Sequence, residues 1–209
     1  METADYILRG GSEGRERLRI LSRVMRPTTL ELLRRAGIAP GMNCLDVACG
    51  GGDVACDMAR MVDPTGFVVA IDIDKPQLEI ARREAQQEHL ANIDFRYSDI
   101  TTDPFEMKFD LVRARFILHH LANPAAAVRR MRTALKRHGV LVVQDVDVSG
   151  WFCYPDCSSF RRFIELYSET ARRQGANALG DEWSFDELNA GLGHELKCST
   201  RAFLVHSSL

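Results

Sequence analysis

The feature that most constrains this chain is the run Leu45-Asp46-Val47-Ala48-Cys49-Gly50-Gly51-Gly52-Asp53, in which an apolar strand with a carboxylate near its tip turns through three glycines toward a helix. The apolar run suits a strand covered on both faces, and the glycines let the backbone turn tightly and approach a ligand without a Cβ in the way. A helix from about Val54 to Val62 then aims its unpaired N–H groups and the positive end of its dipole into the same space. This is the layout of a nucleoside-cofactor site.

Two cofactor classes use such a loop. Gly50-Gly51-Gly52-Asp53-Val54-Ala55 satisfies the G-x-G-x-x-A dinucleotide fingerprint, so an NAD-dependent oxidoreductase is one reading. A pyrophosphate there would sit near Asp46, and like charges about 6 Å apart at an effective dielectric of about 20 repel by roughly 2–3 kcal/mol. S-adenosylmethionine (SAM) carries a sulfonium and an ammonium where NAD carries phosphates, so the carboxylate favours SAM. In Asp46, Ala48, Gly50 and Gly52 the sequence resembles the class I SAM-dependent methyltransferases, whose first motif is acidic-x-Gly-x-Gly-x-Gly after a strand. Ala48 departs from the first glycine of that motif, and its methyl group would narrow the space beside the methionine moiety.

The next apolar run, Gly66 to Asp74, also ends in acid. Asp72 lies 20 residues beyond Gly52, the spacing of a carboxylate that accepts from the ribose hydroxyls. Asp74 precedes Lys75-Pro76 and is the better N-cap for the following helix. A third strand, Ile93 to Tyr97, leads to Ser98-Asp99-Ile100, and in the resembling family an acidic residue here accepts from the adenine amino group. That role carries over to Asp99, which read alone is a turn former.

A fourth strand, Phe109 to Ala114, runs into Arg115-Phe116-Ile117-Leu118-His119-His120-Leu121. This resembles the segment that passes beside the sulfonium in the small-molecule branch of the family, including the ubiquinone/menaquinone-biosynthesis type. The resemblance implies cofactor contacts from Asp46, Ala48, Gly50, Gly52, Asp72, Ile73, Asp99, Ile100, Arg113 and, in the N-terminal arm, Tyr6. No metal is expected, because neighbouring histidines point about 100° apart on a helix and lack a His or Cys partner at i+3 or i+4. His119, His120, Asp145 and Tyr154 are available as general bases, and the sequence selects none.

Strand and helix alternate from about residue 43 to 146, with apolar helix stripes at Leu78, Ala81 and Ala85 and at Pro124, Val128, Met131 and Leu135. Gly139 is expected to end the second of these helices, and Val140 to Val146 to form the fifth strand. The pattern implies an α/β fold: a doubly wound, mainly parallel sheet with helices on both faces. One domain is expected, with an N-terminal helical arm over residues 1–40, a SAM-binding core over 41–148 and a substrate-side segment over 149–209. The arm should hold an arginine-rich helix broken at Pro27 and a second helix to about Ala36. In the last segment, Trp151 and Tyr154 could wall a substrate pocket, while Phe160 and Phe163 are expected to bury an added helix.

After Gly193 only eleven residues, Glu195 to Val205, remain for strands, and no Asn-Gly, Asp-Gly or Gly-Gly lies among them. One terminal strand is therefore expected, leaving an incomplete sheet whose open edge would be covered by the preceding segment or by a second subunit of a homodimer. The net charge of −2 argues against nucleic-acid partners, with the arginines at 15, 17, 19, 23 and 26 as counter-evidence. No apolar run approaches the roughly 20 residues of a membrane span, the first residues lack a signal-peptide pattern, and Cys153-x-x-x-Cys157, without a second pair or a nearby His, is weak evidence for zinc. A cytoplasmic enzyme with reduced thiols is expected, methylating a small organic molecule; a non-catalytic SAM-binding or interaction module is the remaining alternative.

Overall fold

A computed structural model describes residues 11–146, 151–173, 175–176, 196–199 and 202–206. The elements run α1 (Gly11–Arg35), β1 (Asn43–Val47), α2 (Asp53–Val62), β2 (Phe67–Asp72), α3 (Lys75–Gln87), β3 (Ile93–Tyr97), β4 (Phe109–Arg115), a single 3-10 turn (Leu118–His120), α4 (Pro124–Thr133), β5 (Leu135–Gln144), α5 (Ser158–Arg173), β6 (Leu196–Ser199) and β7 (Ala202–His206). They build one seven-stranded sheet in the order β3-β2-β1-β4-β5-β7-β6. The strands from β3 to β5 are parallel, and β7 is antiparallel to both of its neighbours.

Because side chains alternate across a strand, each central strand feeds two cores. Cys44, Val68, Ala70, Leu111 and Val142 face α2, α3 and the last turns of α1. Leu45, Val47, Val69, Ile71, Val112, Leu141 and Val143 face Ala127, Val128 and Met131 of α4. Complete burial of one leucine such as Leu45 or Leu111 contributes about 1.5–3 kcal/mol, so continuous apolar strands are what hold helices to both faces. Asp74 caps α3 as expected, its Oδ1 accepting from the N–H of Gln77 at 3.0 Å.

Three expectations need correction. The sheet is complete within one chain: β6 and β7 pair in register with only residues 200–201 between them, and β7 fills the position beside β5. Turn dipeptides of the Asn-Gly type are a preference, and strands of four and five residues suffice when one of them is paired on both sides. The homodimer expected to pair through an open edge thereby loses its premise. Second, α1 continues through Pro27 to Arg35 instead of breaking there. Proline deletes one backbone hydrogen bond, and the Thr28 hydroxyl donates to the Met25 carbonyl at 2.9 Å just beside it. Third, α4 stops at Thr133 and Leu135 already pairs with Phe109, so Gly139 lies inside a bulged β5 with His138 at φ 64°. Leu135 is buried in either case, which is why apolar periodicity misplaced it on the helix.

Candidate functional site

The strand order reverses direction between β1 and β4, so the loops leaving their carboxyl ends splay apart and leave a crevice. The glycine loop leaves β1, and the segment carrying His119 leaves β4. Ala48, Gly50 and Gly52 all adopt positive φ, at 56°, 54° and 80°. The departure at Ala48 therefore acts through backbone strain, since a Cβ in the left-handed region costs about 1–2 kcal/mol. Gly52 has a second reason to be glycine, because a Cβ there would lie 2.7 Å from Phe95 and 2.9 Å from Ala81. This lets α2 and α3 close on the sheet.

Asp72 sits at the tip of β2 and ties the loop in place. Its Oδ2 accepts from the Gly50 N–H at 2.7 Å and its Oδ1 from the Asp74 N–H at 2.9 Å. Burial pushes its carboxyl above the ordinary range, against the pull of those two N–H groups. Each oxygen keeps acceptor capacity for a hydroxyl. Ile73, next along, is exposed, as a residue lying against an adenine would be before binding. Asp99 accepts at Oδ1 from the Thr101 N–H and hydroxyl, each at 2.7 Å, so one oxygen is held by its own turn. Ile100 is buried in the α4-side core, and its carbonyl accepts from Arg130 Nε at 2.7 Å.

Asp46 and Arg113 occupy opposite positions on β1 and β4, and the register brings them together. Arg113 Nη1 donates to Asp46 Oδ1 at 2.6 Å, with side-chain exposures of 4% and 0%. This corrects the electrostatic step by which the sequence favoured SAM over NAD: a carboxylate neutralised at contact distance repels a distant pyrophosphate only weakly. Asp46 Oδ2 and Arg113 Nη2 remain buried without a partner. Neutralised and sealed from solvent, the pair favours neither cofactor. Arg115, on the same face, donates to the Thr29 hydroxyl at 3.1 Å, and burial draws it down to about 10, still charged at neutral pH.

The arm covers the loop. Arg15 is buried and donates to Asp53 at 2.5 and 3.0 Å and also to Glu84, while Arg19 reaches Glu84 at 2.6 Å and Arg26 grips Asp57 at 2.8 and 2.7 Å. Burial opposes the Arg15 charge, but the hydrogen bonds from Asp53 and Glu84 outweigh it and hold its pKa above the ordinary value. A Cβ on Gly51 would run into the Arg15 guanidinium, and one on Gly50 would lie 3.1 Å from Leu18. Three of the five arginines between positions 15 and 26 are thus spent on α2 and α3. Tyr6 lies outside the described residues.

The segment after β4 closes the other side. His119 Nδ1 meets Asp145 Oδ1 at 2.5 Å just past the end of β5. The His120 ring lies against that of His119 with centroids 3.8 Å apart, and burial, then His119, pushes His120 down to about 4. Tyr154 is 94% exposed, and the Trp151 ring lies 6.2 Å from that of Tyr167. Phe163, expected to bury α5, is 51% exposed and packs on Phe160 and Tyr167.

Comparison with known proteins places this geometry. A Bacillus halodurans protein described as a candidate methyltransferase superposes with TM-score 0.62 at 27% identity, over 81% of this chain and 69% of that one. The [4+2]-cyclase SpnF superposes with TM-score 0.60 at 26% identity, over 80% and 56%. Among curated sequences, the ubiquinone/menaquinone biosynthesis C-methyltransferase UbiE of Shewanella pealeana is 29% identical over 75% of this chain and 61% of that protein. UbiE of Pseudomonas putida is 35% identical over 59% and 48%. The chain thus spans between about half and two-thirds of the length of these curated relatives. The family model for the methyltransferase domain matches residues 38–183, which include the glycine loop, Asp72, the Asp46–Arg113 pair and the His119 segment. On that match, and on the strand order and glycine loop that accompany it, the chain belongs to the methyltransferase-domain family.

Proposed function

We propose that the protein transfers a methyl group from SAM to a small organic acceptor. The observation that carries this reading is the glycine loop at the switch point of the sheet, latched to Asp72 at 2.7 Å. The backbone of Gly50 to Gly52 would receive the amino-acid end of SAM. Asp72 would accept from the ribose hydroxyls, and Ile73 and Asp99 would flank the adenine. When bound, SAM supplies a methyl group already activated by the sulfonium. What remains for the chain is to hold a nucleophile in line with that methyl and to keep water out, and such positioning accounts for most of the rate. Arg15 and Leu18 of α1 cover the loop and serve the second task.

The relatives UbiE and 2-phytyl-1,4-naphtoquinone methyltransferase suggest an electron-rich aromatic acceptor of the quinol type. We further assign the chain to the cytoplasm, as one domain in which residues 1–40 form the arm, 41–148 the cofactor core and 149–209 the acceptor side. Among the described residues no helix is long and apolar enough to cross a membrane. A nucleic-acid acceptor is disfavoured because Arg15, Arg19 and Arg26 are engaged by acids of the same chain. The test is transfer of label from methyl-labelled SAM to 1,4-naphthohydroquinone and to a set of small phenols and amines, with tRNA as a control. SAM binding with labelled product supports the proposal; SAM binding without transfer to any of them points to a non-catalytic module or to chemistry of the cyclase kind. Binding of NADH in place of SAM would overturn it.

A further inference from the structure

We propose that His119, held by Asp145, is the base that takes the acceptor's proton during methyl transfer; the assignment rests on the reading of the site just given. The two residues follow β4 and β5, neighbouring parallel strands, so both emerge at the carboxyl edge of the sheet. His119 belongs to the segment that leaves β4, and the glycine loop leaves the adjacent β1, so the two flank the point where the strand order reverses. The sequence alone offered four candidate bases in this region, and the geometry distinguishes one.

The hydrogen bonds set the tautomer. Asp145 Oδ2 accepts from the N–H groups of Ile117 at 3.1 Å and Leu118 at 2.7 Å, and Oδ1 accepts from Val146 at 2.8 Å. Each oxygen therefore faces donors, so the proton in the 2.5 Å contact belongs to His119 Nδ1. Nε2 is left with its lone pair. His119 is 7% exposed, and Nε2 is the ring nitrogen that Asp145 does not hold. The ring is thus oriented, with its basic nitrogen turned away from Asp145. Asp145 is the positioning residue: it fixes the ring and stabilises the imidazolium once formed.

The charged and titratable groups around the ring fit this role. Burial, the neighbouring His119 ring and Arg17 of α1 all disfavour a positive charge on His120, and Asp145, just past β5, favours one; the first three prevail, so His120 stays neutral. In the step itself, the acceptor atom forms its bond to the methyl carbon with the electron pair it shared with, or held beside, its proton. That proton passes to Nε2, and the electron pair of the broken carbon–sulfur bond stays on sulfur, giving S-adenosylhomocysteine.

The test uses the full chain. In the free protein, nitrogen-15 NMR of the imidazole should find Nδ1 protonated and Nε2 unprotonated above its titration, with Asp145→Asn altering that tautomer. In turnover of SAM with 1,4-naphthohydroquinone, His119→Gln should lose about 10²- to 10⁴-fold in kcat and lose the acidic limb of the pH profile while SAM affinity is kept. Added imidazole should restore part of the rate to His119→Ala. A wild-type ring carrying its proton on Nε2 would overturn the assignment, whether or not this acceptor is turned over. So would a His119→Gln enzyme within about threefold of wild type, or one that loses SAM affinity together with activity and gains nothing from imidazole. Failure of the wild-type chain to bind SAM would instead overturn the methyl-transfer reading, and the NMR result separates the two.

Discussion

Replacing Arg113 by methionine leaves Asp46 as a buried, uncompensated charge between β1 and β4. The pair is sealed, with side-chain exposures of 4% and 0%, so water does not take the place of the lost donor at 2.6 Å. Breaking a buried pair on one side costs about 3–5 kcal/mol. Part of this is returned, because Arg115 on the same face is held down first by burial and next by its repulsion from Arg113, and that repulsion disappears. The net loss should be about 3 kcal/mol, or roughly 6–12 °C in Tm for a chain of this size. Urea unfolding followed by circular dichroism measures it, provided the m-value is unchanged. Replacing both partners, Asp46→Leu with Arg113→Met, removes the unpaired charge and should bring stability back to within about 1 kcal/mol of wild type. A single variant losing less than about 1 kcal/mol, or a double variant as unstable as the single, would refute the reasoning.

Two further outcomes follow from the same region. Ala48→Gly relieves a left-handed alanine at φ 56° at the cost of a more flexible unfolded chain, for a net gain of about 0.5–1 kcal/mol, read as a higher Tm; a lower Tm would mean that the alanine is not strained. His120, depressed from 6.5 to about 4, binds its proton in the unfolded state first, so its contribution to stability is fully present above about pH 6.5 and is lost as pH falls toward 4. Unfolding free energies from urea titrations between pH 7 and pH 4 should fall by up to about 3 kcal/mol more in wild type than in His120→Gln, and parallel curves would contradict this.

Much of the fold was legible because β1 and β2 are largely apolar runs, each followed by a short loop and a periodic helix, whereas β3 passes to β4 with no helix between them. The Asp74 cap was legible because Pro76 at the start of α3 wants its cap immediately upstream. What escaped depends on which elements lie side by side. The Asp46–Arg113 pair appears only when β1 and β4 are known to be neighbours in that register. The His119–Asp145 contact likewise needs β4 beside β5, although an acid directly after one strand and a histidine directly after the preceding one is a signal that could have been used. The pairing of β6 with β7 has no signal in the sequence because none of the favoured turn dipeptides lies between 195 and 205, and α1 runs on past Pro27 because Leu32 and Leu33 pack into the core.

The central claim is most directly tested by calorimetric titration of SAM into the wild-type protein and into Asp72→Ala, with NADH titrated into each alongside. The account predicts that wild type binds SAM and not NADH. It also predicts that Asp72→Ala, losing the charged acceptor of two hydroxyls and the latch on Gly50, binds SAM about 2–4 kcal/mol more weakly while its far-ultraviolet circular dichroism is retained. Unchanged SAM affinity in Asp72→Ala, or tighter binding of NADH than of SAM by wild type, would contradict it.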